Sequence, residues 1–122
     1  DHVQLNKIPA QKARMEIEKT NNRIYEATGV YPSYVRTPFG AWIKDMELSV
    51  DMLPVFWDVD TLDWKSQNVS CILSIAEKEV HDDSIILMHD GYQTSVDAAL
   101  QIADLFSQKG YVFVTADQLL VT

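Results

Sequence analysis

The residues best equipped for chemistry in this sequence follow directly on short apolar runs. His89 and Asp90 come after Ile85 to Met88, Asp58, Asp60 and Asp63 come after Leu53 to Trp57, and Arg36 closes the run from Ser33. An imidazole titrates near neutrality, so His89 can act as general acid or base, and a carboxylate beside it orients the ring and favours the protonated form. Asp63 is the expected partner. Arg36 can hold a carboxylate through its planar fork of donors, with a salt bridge at a sheet rim equally open. Trp64 can wall a small substrate group or a sugar face, or fill a half-buried core position. His2 lies outside any expected element, and His81 follows a helix end beside Asp82 and Asp83, so both read as exposed.

For these groups to converge, regular elements must deliver them. Pro9 to Ala27 is expected to be an amphipathic helix, with Ala13, Ile17 and Ile24 inward and Gly29 as the stop. A strand from Ser33 to Arg36 then meets a tight turn at Thr37 to Gly40. A helix over Ile43 to Met52, a strand over Leu53 to Trp57 and a loop over Asp58 to Asp63 follow, the loop because three of its six residues are acids. Next come a helix over Val69 to Val80 and an apolar strand over Ile85 to Met88 that suits a parallel sheet. The clearest helix runs from Thr94 to Lys109, with Val96, Ala99, Leu100, Ala103 and Leu105 or Phe106 as its buried stripe. Tyr111 to Val114 reads as a strand, and Thr115 can cap a short last helix through Leu120. Alternating helices and strands signal a parallel α/β fold, in which functional groups collect where strands end.

Composition narrows the function classes. The sequence has 122 residues, enough for one domain or a large piece of one. Its formal net charge of -8 and scattered Lys and Arg argue against a nucleic-acid partner. No apolar run approaches the roughly 18 residues of a membrane span. Cys71, the single cysteine, is expected to pack in the core. The start at Asp1, with neither a Met nor a leader-like segment, suits a processed or excised product.

Three segments resemble motifs of the polysaccharide deacetylases of carbohydrate esterase family 4. Arg36-Thr37-Pro38-Phe39-Gly40 is similar to the third motif, Arg-x-Pro-Tyr/Phe-Gly, and Asp60-Thr61-Leu62-Asp63-Trp64 to the fourth, Asp-x-x-Asp-Trp. Ile86-Leu87-Met88-His89 is similar to the fifth, with an apolar residue two places before its His. Asp1-His2-Val3-Gln4-Leu5 matches the end of the second, His-Ser/Thr-x-x-His followed by an apolar stretch, whereas the first motif, Thr-Phe-Asp-Asp, is absent.

The resemblance implies that residues 1–122 are the C-terminal part of a single catalytic domain, the later part of a distorted parallel (β/α) barrel with fewer than eight strands. It implies a divalent metal ion, zinc before cobalt, with His2 as one ligand, and a complementary N-terminal segment supplying the catalytic base and the remaining ligands. His89 is then the general acid, tuned by Asp63. Arg36 orients the base, the Phe39 amide holds the oxyanion, and Trp64, Leu87 and Pro38 face substrate. The implied substrate is an acetylated polysaccharide outside the cell or at its surface. N-acetylglucosamine of peptidoglycan comes first, because the run from Trp57 to Ser66 looks most like the peptidoglycan members, with acetylxylan and chitin open. A noncatalytic carbohydrate-binding or assembly fragment is the alternative of another class.

Overall fold

The computed structural model describes residues 2–44 and 52–120, in two units, Asp1–Phe56 and Trp57–Thr122. In the first unit a short 3-10 turn at Leu5–Lys7 leads into helix α1, Ala10–Thr28. Pro9 precedes the helix, where its missing N–H costs nothing. Gly29 ends it at φ 77°, donating its N–H to the Tyr25 carbonyl at 2.7 Å in the left-handed cap that glycine adopts without penalty. Ala13 and Ile17 of α1 are buried with Leu5 and Met52, and Val3, Ile8, Val35, Trp42 and Ile43 pack around them. Ile24, expected to face inward, is exposed. Strand β1, Tyr34–Val35, pairs in parallel with β2, Leu53–Pro54, so Val35 lies opposite Pro54. The proline is tolerated because the donors to β1 are its neighbours, the Leu53 N–H to the Ser33 carbonyl at 3.0 Å and the Val55 N–H to the Val35 carbonyl at 2.7 Å, so this pairing needs no N–H from Pro54. The helix expected over Ile43 to Met52 falls largely on residues 45–51, outside the described residues.

The second unit begins with strand β3, Val59–Asp60, where the sequence had suggested a loop. Acid count misled there. Val59 is buried while its neighbours Asp58 and Asp60 are less so, the period of two that a strand imposes. The Asp58 carboxylate accepts the Ile85 N–H at 2.6 Å, so an acid helps hold the strand end. β3 pairs in parallel with β4, Ile86–Leu87, placing Asp60 opposite Leu87. Between them run a single-turn helix α2, Asp63–Ser66, and helix α3, Val69–Glu79, whose first turn is capped by the Asn68 side chain accepting the Cys71 N–H at 3.0 Å.

Helix α4, Gln93–Gln108, packs on α3 through Ala98, Ile102 and Phe106 against Ile72 and Ala76. Each large side chain buried here contributes roughly 1.5–3 kcal/mol. Of the expected stripe only its end holds, with Phe106 buried and Leu105 packed beside it. Ser95, Ala98, Ile102 and Phe106 face inward, and Val96, Ala99, Leu100 and Ala103 face out. The helix carries two apolar stripes of helical spacing, and α3 selects one. Cys71 is exposed rather than buried, because Ile72 and Ala76 take the inner face of α3. Tyr111 to Val114 forms no ladder among the described residues, and Val112 is 82% exposed; an apolar run becomes a strand only where a neighbour offers backbone partners. Helix α5, Ala116–Leu120, starts as expected: Thr115 Oγ1 accepts the Gln118 N–H at 3.3 Å and Gln118 Oε1 accepts the Thr115 N–H at 3.1 Å.

Candidate active site

The Asp60 to Trp64 segment shapes the site by local backbone chemistry. Asp60 Oδ1 accepts the Leu62 N–H at 3.0 Å, a turn that short polar side chains favour. Leu62 is held in the left-handed region at φ 53°, and this conformation redirects the chain so that Asp63 opens α2. Such a backbone costs a branched L-residue about 1–2 kcal/mol and persists where surrounding contacts fix it. One contact is Thr61, fully buried, whose Oγ1 donates to the Leu87 carbonyl at 2.9 Å and ties the end of β3 to β4.

With that register set, Asp63 meets His89. Asp63 is 0% exposed, and its side-chain partners are donors from His89 and Ser95. Its Oδ1 lies 2.9 Å from His89 Nδ1, and its Oδ2 accepts the His89 backbone N–H and the Ser95 hydroxyl, both at 2.7 Å. A carboxylate accepts only, so Nδ1 carries the proton in this contact. Nε2 is the nitrogen left for other chemistry, on a side chain 46% exposed. Burial pushes the Asp63 carboxyl up, but the hydrogen bonds from His89 and Ser95, the His89 backbone N–H and the charge of the ring outweigh it and hold the group below its ordinary value. Asp63 is thus a buried anion that fixes the ring and its tautomer. A buried charge is tolerable only when hydrogen-bonded in this way.

The remaining candidates of the second unit divide by exposure. Leu87 is buried beneath the end of β4, while Trp64 on α2 is half-exposed and open to a ligand. His81 is exposed, as its sequence context suggests, and its Nε2 lies 2.9 Å from Asp58 Oδ2.

In the first unit, Pro38–Gly40 makes a single 3-10 turn, with the Gly40 and Ala41 N–H groups donating to the carbonyls of Thr37 and Pro38. Phe39 sits in the left-handed region at φ 60° and its ring is exposed. The His2 ring meets it edge-on with centroids 5.0 Å apart. Arg36 is exposed, and no ion pair to it occurs among the described residues. His2 is an exposed imidazole suited to a divalent ion, but one donor does not make a site. Among the described residues no group of three or more His, Cys, Asp or Glu can hold a metal. The described residues therefore do not fit the ion by themselves.

Residues 1–55 match the family described as Polysaccharide deacetylase. A peptidoglycan N-acetylglucosamine deacetylase from Listeria monocytogenes is 33% identical over 98% of this chain, and a peptidoglycan N-acetylmuramic acid deacetylase from Bacillus subtilis is 34% identical over 97% of it. This chain belongs to the polysaccharide deacetylase family. The solved structure of a peptidoglycan deacetylase from Bacillus subtilis matches 98% of it with a TM-score of 0.93 at 34% identity. The chain spans about a quarter of the length of those two curated relatives, 26% and 25%, and 59% of the solved one.

Within this chain of the family, sequence reasoning missed two buried hydroxyl residues, Thr61 and Ser95. Thr61 stands at a variable position of the Asp60 to Trp64 motif. Ser95 was readable only from the stripe Ser95, Ala98, Ile102, Phe106, which points a polar residue inward at the start of an otherwise apolar face.

Proposed function

We propose that this chain is the C-terminal part of a single catalytic domain, the later part of a distorted (β/α) barrel, and that the completed domain removes acetyl groups from a polysaccharide. N-acetylglucosamine of peptidoglycan is the first substrate. The relatives named for peptidoglycan support it, and a bifunctional xylanase/xylan deacetylase from Cellvibrio japonicus at 30% identity keeps acetylxylan as the second. A polymer of the cell wall puts the reaction at the cell surface or outside the cell.

The observation that carries this reading is the buried Asp63 on Nδ1 of His89, which leaves Nε2 to hand over a proton. Water adds to the acetyl carbonyl, activated by an Asp of the complementary segment that Arg36 orients. The resulting oxyanion is held by the Phe39 N–H. Protonated His89 donates from Nε2 to the departing nitrogen, the C–N bond breaks, and acetate and a free amine leave. Trp64 and Leu87 wall the acetyl methyl, and Pro38 shapes the turn beside it. A divalent ion, zinc before cobalt, would take His2 as this chain's donor and its other ligands from the complementary segment. An apolar groove of about 580 Å³ between Phe106, Val112, Val114 and Leu119 supports the existence of such a segment, since it offers apolar surface to cover.

The test is acetate release from N-acetylglucosamine polymers by the domain reconstituted with that segment, with divalent metal present. His89→Ala is expected to lower release about 100-fold, in the range general acids contribute. Release at the unsubstituted rate sinks the role given to His89.

A further inference from the structure

The strongest feature that the motifs do not account for is the third donor on Asp63. Ser95 lies in the first turn of α4 and is 1% exposed, and its hydroxyl reaches Asp63 Oδ2 at 2.7 Å. Oδ2 thereby receives two donors, the Ser95 hydroxyl and the His89 backbone N–H, while Oδ1 receives one, the His89 ring. Both donors on Oδ2 come from main-chain or short side-chain groups, so they fix the plane of the carboxylate. The lone pair of Oδ1 is then aimed at the ring. Without the hydroxyl, only the N–H at the root of His89 would hold Oδ2, and the carboxylate could turn about its Cβ–Cγ bond.

We propose that Ser95 is a positioning residue of this site: its hydroxyl clamps Asp63 so that the carboxylate keeps His89 in the Nδ1-protonated tautomer with Nε2 free for proton transfer. The proposal rests on the general-acid reading of His89 for its catalytic consequence, but the clamp itself can be observed without catalysis. Ser95 touches neither substrate nor reacting atoms; it acts through Asp63. Partners that orient a functional side chain in this way commonly matter by about 10- to 100-fold when removed.

The experiment pairs two readouts on Ser95→Ala and Ser95→Thr. In the 122-residue chain, carbon NMR follows the Asp63 carboxyl through acid titration, and nitrogen NMR reports the tautomer of neutral His89. With circular dichroism unchanged, Ser95→Ala is expected to raise the Asp63 midpoint, because a donor to the charged form is gone, and to mix the Nε2-protonated tautomer into His89. In the reconstituted domain the same variant is expected to lose about tenfold in kcat with KM unchanged, and Ser95→Thr, which keeps the hydroxyl, to recover most of it. A folded Ser95→Ala with unmoved carboxyl midpoint and tautomer overturns the clamp. Full acetate release by Asp63→Asn overturns the general-acid reading instead, and the NMR result then stands by itself.

Discussion

Asp63 and the segment from Tyr111 to Val114 both belong to the second unit, and both need partners that water alone does not replace. The carboxylate finds three donors within the chain, from His89 and Ser95, and is fully buried. The apolar segment finds none of the ladder partners a strand needs among the described residues, and Val112, Phe113 and Val114 stay exposed beside the groove under Phe106. The difference lies in where each requirement can be met. A hydrogen-bond shell needs a few groups placed by β4 and the start of α4, whereas a strand buried on both faces needs whole neighbouring elements. The chemical pair is therefore self-contained, whereas the apolar segment leaves its side chains exposed beside the groove.

That contrast can be broken at its apolar side first. Phe106→Ala removes a ring packed edge-on against Tyr111 with centroids 5.3 Å apart, in the cluster that α3 and α4 share. It is expected to cost about 3–5 kcal/mol in chemical denaturation, the range for large core truncations. A loss under about 1 kcal/mol would mean that the α3 and α4 packing is not what holds this unit together.

On the polar side, Asp63→Asn at pH 7 is expected to cost about 1–3 kcal/mol, since the donors of His89 and Ser95 lose their charged acceptor. The sign with pH follows from the lowered carboxyl. A group depressed in the fold contributes fully above its unfolded value of about 3.9 and loses that contribution as pH falls through its folded value. Denaturation curves of the two proteins should converge only below about pH 4. A constant gap down to the lowest pH would show that Asp63 does not act as an anion in the fold.

The exposed segment should give the smallest effect. Phe113→Ala is expected to change the stability of this chain by less than about 0.5 kcal/mol, as surface substitutions do, yet to weaken capture of the complementary segment in a titration. A large loss of stability in the chain alone would place Phe113 in a core that the exposed ring does not show.

The same contrast explains what could be read from the sequence. Helix α1 and its Gly29 stop, the Thr115 cap, and the meeting of Asp63 with His89 were legible, because caps, stops and motifs are local signals. The face of α4 was not, since Val96 and Leu100 are as apolar as Ile102 and only the packing of α3 decides between them. β3 was hidden by the charge of Asp58 and Asp60, although Asp58 serves the backbone and Val59 carries the burial. Tyr111 to Val114 has the composition of a strand, but strand formation depends on a neighbour that composition does not contain. Ser95 escaped because a serine near a helix start ordinarily reads as a boundary residue.

The most direct measurement is a double-mutant cycle on acetate release in the reconstituted domain, with His89→Ala, Asp63→Asn and both together. If Asp63 acts only through the ring it holds, the double variant should be no slower than His89→Ala alone, because residues that work as a unit lose their effect together. Losses that multiply, with the double variant slower by the product of the two single effects, would contradict the pairing.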